Sequence, residues 1–156
     1  MNNLPRASRI TFYVSLVILL VLLMPISKVI ADGQGIVNPG FENGWAGWTD
    51  GDSSGSGTAM SDNAYSGAKS IKLSKKGTYA SQVVQVKLKT AYRLRAFISG
   101  GGNLGVKVGS EIFFEQQGPK GRDWQALTVK FDSGNHSAIT VFVGFAGVEG
   151  RFDDLS

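Results

Sequence analysis

The sequence contains no cysteine, four prolines and one histidine. Without cysteine there is no disulfide, no thiol nucleophile and no lipid attached through a thioether, so the fold must rest on its core or on a metal. His136 stands in the turn-like run Ser133-Gly134-Asn135-His136-Ser137, far along the chain from any serine motif of the G-x-S-x-G kind. No amphipathic helical period of useful length follows residue 31, and no internal repeat is visible. Acids are absent from residues 63–110, where nine basic residues fall: Lys69, Lys72, Lys75, Lys76, Lys87, Lys89, Arg93, Arg95 and Lys107.

What the chain does have begins with a targeting segment. Residues 1–9 carry Arg6 and Arg9 and no acid, residues 10–24 are almost unbroken apolar sequence, and Val29-Ile30-Ala31 is suited to signal peptidase. The apolar run is shorter than the ~20 residues of a spanning helix. We therefore expect a signal peptide over 1–31, a secreted chain (extracellular or periplasmic) starting at Asp32, and no membrane association after cleavage. Removing 1–31 takes away Arg6, Arg9 and Lys28, leaving 13 basic against 12 acidic residues. Nucleic acid is thus a poor partner, since its binding rests on a strong basic excess.

Residues 32–156 are of a length for one domain with one core. Short apolar alternations between glycine-rich turns imply an all-β, two-sheet antiparallel β-sandwich. Strands are expected near 35–38, 58–61, 70–73, 80–88, 92–99, 104–108, 111–115, 125–132, 138–145 and 151–155, and residues 50–57 form a flexible loop. Because side chains alternate along a strand, Tyr92, Leu94, Ala96 and Ile98 oppose Arg93, Arg95, Phe97 and Ser99. The same rule turns Lys107 and Phe142 outward.

The organising stretch is residues 37–48, V-N-P-G-F-E-N-G-W-A-G-W, in which Asn38-Pro39-Gly40 ends an apolar segment in a turn. Together with Ala64-Tyr65-Ser66-Gly67-Ala68-Lys69-Ser70, Tyr92-Arg93-Leu94, Trp124 and Phe152-Asp153-Asp154, it resembles jelly-roll carbohydrate-binding modules with a galactose-binding-like fold. The N-P-G-F-E-N-G-W opening and R-F-D-D ending are most similar to the non-catalytic modules of bacterial alginate lyases. The resemblance implies that the strands near 92–99, 104–108 and 138–145 share one sheet whose outer face binds glycan. Arg93, Arg95, Phe97, Lys107, Phe142 and Trp48 are then the candidate carbohydrate contacts, with guanidinium forks suited to carboxylates and rings suited to sugar C–H faces. Trp45 and Trp124 are expected to be packing residues. The resemblance also implies a structural calcium ion, for which Glu42 and Asp153 are the leading side-chain ligands, with Asp62 and main-chain carbonyls of the turn up to Lys69.

A catalytic assignment is weak. Glycosidase chemistry needs two carboxylates across a cleft, for which only Glu111 and Glu115 are candidates, and a lyase would need Tyr79 or Tyr92 beside Arg93. The expected function is binding of polysaccharide, preferentially an acidic, alginate-like glycan. The alternatives are a neutral β-glucan or xylan module, the non-catalytic part of a larger polysaccharide lyase or glycoside hydrolase continuing into a C-terminal catalytic domain, and a structural surface domain without sugar affinity.

Overall fold

The computed structural model describes residues 35–156; the expected signal peptide and its cleavage site lie outside the described residues. Ten strands follow in order: β1 (Thr49–Asp50), β2 (Thr58–Ser61), β3 (Ser70–Leu73), β4 (Tyr79–Gln85), β5 (Ala91–Gly100), β6 (Asn103–Val108), β7 (Glu111–Gln117), β8 (Gly121–Asp132), β9 (Ala138–Gly144) and β10 (Gly150–Asp153). They form two five-stranded sheets, β1-β4-β9-β6-β7 and β2-β3-β10-β5-β8, and every pairing is antiparallel. No helix occurs among the described residues. The chain is thus an all-β, two-sheet jelly-roll sandwich.

Period-2 alternation builds the core. In β5, Leu94, Ala96 and Ile98 are buried while Arg93 and Arg95 are exposed. Across the interior, Ile139, Val141 and Val143 of β9 and Leu104 and Val106 of β6 belong to the same apolar cluster. Removing this surface from water is the main stabilising term.

Two expectations about the strands need correction. Residues 35–38 are not a strand. Asn38 takes φ 49° and Phe41 φ 57°, left-handed values that a strand cannot hold. The ladder partner Val37 lacks is supplied by a side chain: Gln82 Oε1 accepts from Val37 N–H (2.8 Å) and its amide donates to Val37 carbonyl (3.0 Å). Second, the strands expected in one sheet are divided. β5 lies in the second sheet, whereas β6 and β9 are neighbours in the first.

The 37–48 stretch closes one end of the sandwich. Asn38 organises it by donating to the carbonyls of Gly44 (2.9 Å) and Ala46 (3.3 Å) and accepting from Asn43 N–H (3.1 Å). Trp48 turns inward, packs on Phe41 at 4.9 Å between centroids and donates its indole N–H to the Asn38 carbonyl (3.0 Å). With only 7% of its surface exposed, Trp48 is a core residue and not a ligand platform. Trp45 is partly buried against the same core. The 50–57 segment is also more ordered than its composition suggests. The Asp52 carboxylate accepts from Ser54 hydroxyl (2.6 Å) and from the main-chain N–H of Ser54, Gly57 and Thr58.

Candidate functional site

The outer face of the first sheet is exposed at Val83 and half-buried at Tyr79 and Lys107, with Ser81 and Phe142 buried between them. Pairing of Ser81 with Phe142, and of Phe142 with Gly105, puts Tyr79, Ser81 and Val83 of β4, Thr140 and Phe142 of β9, and Asn103 and Lys107 of β6 on that side. Two glycines shape it. Gly51 has no Cβ because one would sit 2.5 Å from the Tyr79 ring atoms, so main chain lies flat against that ring. Gly105 likewise seats Phe142, whose ring atoms a Cβ would meet at 2.6 Å. The Lys107 ammonium stands 4.5 Å from the Tyr79 centroid and 5.7 Å from that of Phe142, and it takes part in none of the ion pairs among the described residues. A cation over aromatic faces contributes about 0.5–2 kcal/mol. Phe142 is only 7% exposed, so Tyr79 is the more accessible ring. Nearby, Asn103 donates to Glu115 Oε1 (2.7 Å), while its Oδ1 is buried without a partner. A buried acceptor left unpaired is costly and uncommon.

Arg93, Arg95 and Phe97 lie instead on the outer face of the second sheet. Both arginines are exposed. Phe97 is not an open platform: Tyr65 stacks on it at 3.5 Å and 9°, and the Arg95 guanidinium lies 4.4 Å from its centroid. A ring covered so closely on one face takes a cation only on the other, so both faces of Phe97 are occupied. Tyr65, 45% exposed, is the outer ring of this stack, and Trp124 meets it edge-on at 6.1 Å. The candidates expected on one surface therefore sit on two opposite ones, with Lys107 and Phe142 on the first sheet and Arg93, Arg95 and Phe97 on the second.

The carboxylates behave similarly. Asp153, fully buried, accepts from the N–H of Tyr65 (2.8 Å), Ser66 (3.1 Å) and Asp154 (2.8 Å). Burial pushes its carboxyl above the usual range, against the pull of those N–H groups. Glu42 accepts from Ala68 (2.9 Å) and Lys69 (3.0 Å). Gly40 lacks a Cβ where one would lie 3.3 Å from Asp153 Oδ1, 3.2 Å from Asp154 Oδ1 and 3.9 Å from the aliphatic Cγ of Glu42, while the Glu42 carboxylate itself turns to the main chain of residues 67–69. Asp62 does not join them; it forms an ion pair with the Lys69 ammonium (2.5 Å), which lowers the carboxyl and raises the amine. Among the described residues no three acidic, imidazole or thiol groups cluster to ligate a metal. Two carboxylates without a cationic partner fit a hard cation only if main-chain carbonyls complete its shell.

The catalytic candidates fall apart. A bulge opposite Val106–Lys107 pairs Glu115 with Gly105 but Glu111 with Val108, which places the two acids on opposite faces of β7. Tyr92 stacks on Phe131 and accepts from Lys87 N–H (2.8 Å), and Tyr79 belongs to the sheet opposite Arg93. Tyr79, Tyr65 and Lys130 also stand on these outer faces, and sequence reasoning did not place any of them among the carbohydrate contacts. Tyr79 had a legible signal, since it alternates with Ala80 in the same strand as Ser81 and Val83.

Comparison with known proteins agrees with this architecture. The sequence profile of a family described as "Carbohydrate binding domain" matches residues 33–145. No curated protein matches the sequence. Among solved structures, the chain is similar to TmCBM61 in complex with beta-1,4-galactotriose, at 20% identity and TM-score 0.55, covering 76% of this chain and 92% of the other. It is similar to the CBM22-1 xylan-binding domain of Paenibacillus barcinonensis Xyn10C, at 14% identity and TM-score 0.53, covering 74% and 88%. A Stig cyclase, FisC from Fischerella sp. TAU, aligns at 18% identity and TM-score 0.59, covering 80% and 96%. At such identities these likenesses bear on the fold alone.

Proposed function

The chain belongs to the carbohydrate binding domain family, and from that premise we propose that it is an exported, non-catalytic module that holds polysaccharide on the outer face of the first sheet. The observation that carries this reading is the half-buried Tyr79 ring beside Phe142, bridged by a Lys107 that joins none of the ion pairs among the described residues. A flat apolar ring takes the C–H face of a sugar, and the ammonium donates to its oxygens.

An acidic, alginate-like glycan is the preferred ligand, because Lys107 offers uncompensated positive charge. A neutral β-glucan or xylan is the second reading. It is favoured by Glu115, whose carboxylate shares this face through its hydrogen bond from Asn103, and by the galactotriose and xylan named for the similar structures. Affinity electrophoresis through alginate, pectate, xylan and cellulose derivatives separates the two. Tyr79→Ala is expected to weaken binding to the retained polymer by about 10- to 100-fold, or about 1.4–2.7 kcal/mol. Retardation by no polymer favours a structural domain, and depolymerisation of any polymer overturns the non-catalytic assignment.

The reading includes a structural calcium ion held by Glu42 and Asp153, with main-chain carbonyls of the 62–69 turn. A cation bound only by the folded chain stabilises it by mass action, so excess chelator should lower the melting temperature. An unchanged melting curve, with no calcium by elemental analysis, removes the ion from the description.

A further inference from the structure

We propose that the outer face of the second sheet is a separate binding surface for carboxylate-bearing polysaccharide, with Arg93, Arg95 and Lys130 as its contacts and Tyr65 as its apolar platform. The inference rests on the polysaccharide-module reading but not on the first-sheet face. Its starting point is selective neutralisation of charge. On the same outer surface, Arg151 pairs with Glu149 at 2.9 Å, Lys72 approaches Glu149 at 3.9 Å, and Lys69 pairs with Asp62. Arg93, Arg95 and Lys130 take part in none of the ion pairs among the described residues, and all three are exposed. The next outward acid on β8, Asp132, accepts instead from Gly134 N–H at 2.7 Å.

The register makes this absence costly. Arg93 is directly opposite Lys130, and Arg95 is opposite Thr128. Like charges facing each other across an antiparallel pair destabilise a sheet, and a bound anion relieves that repulsion. Arg93 and Arg95 are two residues apart on one face, hence about 6.5–7 Å apart along the strand. Guanidinium at this spacing presents successive planar forks, each matching a carboxylate with two parallel hydrogen bonds. Arg95 is held in place by its stack on Phe97, so less rotamer freedom is lost when it binds. Beyond Phe97 lies Tyr65, with a ring partly open to solvent. A row of forks leading to an aromatic ring along one flat strand suits an extended chain of charged sugars. The protein consequently offers glycan contacts on both of its broad faces, one led by an aromatic pair and the other by charge.

Affinity electrophoresis in alginate and in neutral galactan and xylan, at low salt, tests the assignment. Arg93→Ala/Arg95→Ala is expected to weaken retardation by alginate at least 10-fold and to leave the neutral polymers unaffected. Arg93→Lys/Arg95→Lys should lose less, because charge survives without the fork. Alginate binding should also collapse in ~0.5 M salt, where exposed charges are screened within a few ångströms. Matching melting curves exclude unfolding of the variants. Tyr79→Ala should instead weaken retardation by the neutral polymers as well as by alginate, since the first-sheet face reads sugar rings. Alginate binding that is absent in the parent, unchanged in the double-alanine variant, or exceeded by binding to a DNA oligonucleotide overturns the second face. If Tyr79→Ala also changes nothing on any polymer, the polysaccharide reading itself falls; a loss with Tyr79→Ala alone leaves that reading standing.

Discussion

Replacing Phe41 with alanine is expected to cost about 3–5 kcal/mol of stability, the range for truncating a fully buried phenyl group. Phe41 has no exposed surface and lies under Trp48 in the turn that closes one end of the sandwich. Its φ of 57° is unfavourable for a bulky residue, so packing of the ring must more than offset backbone strain of about 1–3 kcal/mol. Removing the ring leaves a cavity in the core and frees Trp48 to move. Urea unfolding followed by tryptophan fluorescence gives both readouts, a lower midpoint and a red-shifted folded spectrum. A loss below about 1 kcal/mol would mean that the turn is held by Asn38 alone.

The second large effect concerns Asp153→Ala, for which we expect a loss of about 3–4 kcal/mol and a fall in melting temperature of about 10–15 °C. Three main-chain N–H groups converge on this carboxylate. Those of Tyr65 and Ser66 tie the turn before β3 to the end of β10, more than eighty positions later in the chain. Because Tyr65 and Ser66 are exposed, water recovers part of the lost bonding, which keeps the cost below three full desolvation penalties. Asp153→Asn retains one acceptor oxygen and the side-chain volume and should fall between the two. A melting temperature within about 3 °C of the parent in the alanine variant would show that the turn is fixed by other contacts. The alanine change should also loosen Tyr65 from Phe97, linking this buried acid to the charged face above it.

Much of the fold is legible in the sequence because side-chain alternation is local. The expected segments at 58–61 and 70–73 coincide with β2 and β3, and most others differ from the observed strands by a few residues at their ends. Sheet membership is not local. Arg93, Lys107 and Phe142 each point outward, as alternation requires, but outward from a sandwich means either of two opposite directions. Only the pairing of β5 with β8 and of β6 with β9 decides between them. The 35–38 segment failed for a related reason, since its strand-like partner is the amide of Gln82, 45 residues away. Trp48 carried the composition of a loop-edge platform, yet its indole N–H finds the Asn38 carbonyl and the ring is drawn inside. Glu42 and Asp153 each hold main-chain N–H groups of the 65–69 segment, whereas Asp62 is diverted by Lys69 seven residues on.

The Asp52 turn has a consequence for behaviour in acid. Its carboxyl is held well below the ordinary range, first by the Ser54 hydroxyl and then by the Gly57 N–H. A carboxyl depressed on folding stabilises the turn above its unfolded pKa and loses that contribution only as pH falls through the lower, folded value. The turn leads out of Gly51, against which the Tyr79 ring lies. A uronic acid polymer is an ordinary carboxylate and takes up protons before Asp52 does, while Arg93 and Arg95 keep their charge throughout. On acidification an acidic glycan of the kind proposed would therefore discharge before the Asp52 turn opens. The main chain against the Tyr79 ring thus keeps its support to a lower pH than an unassisted carboxylate would give it.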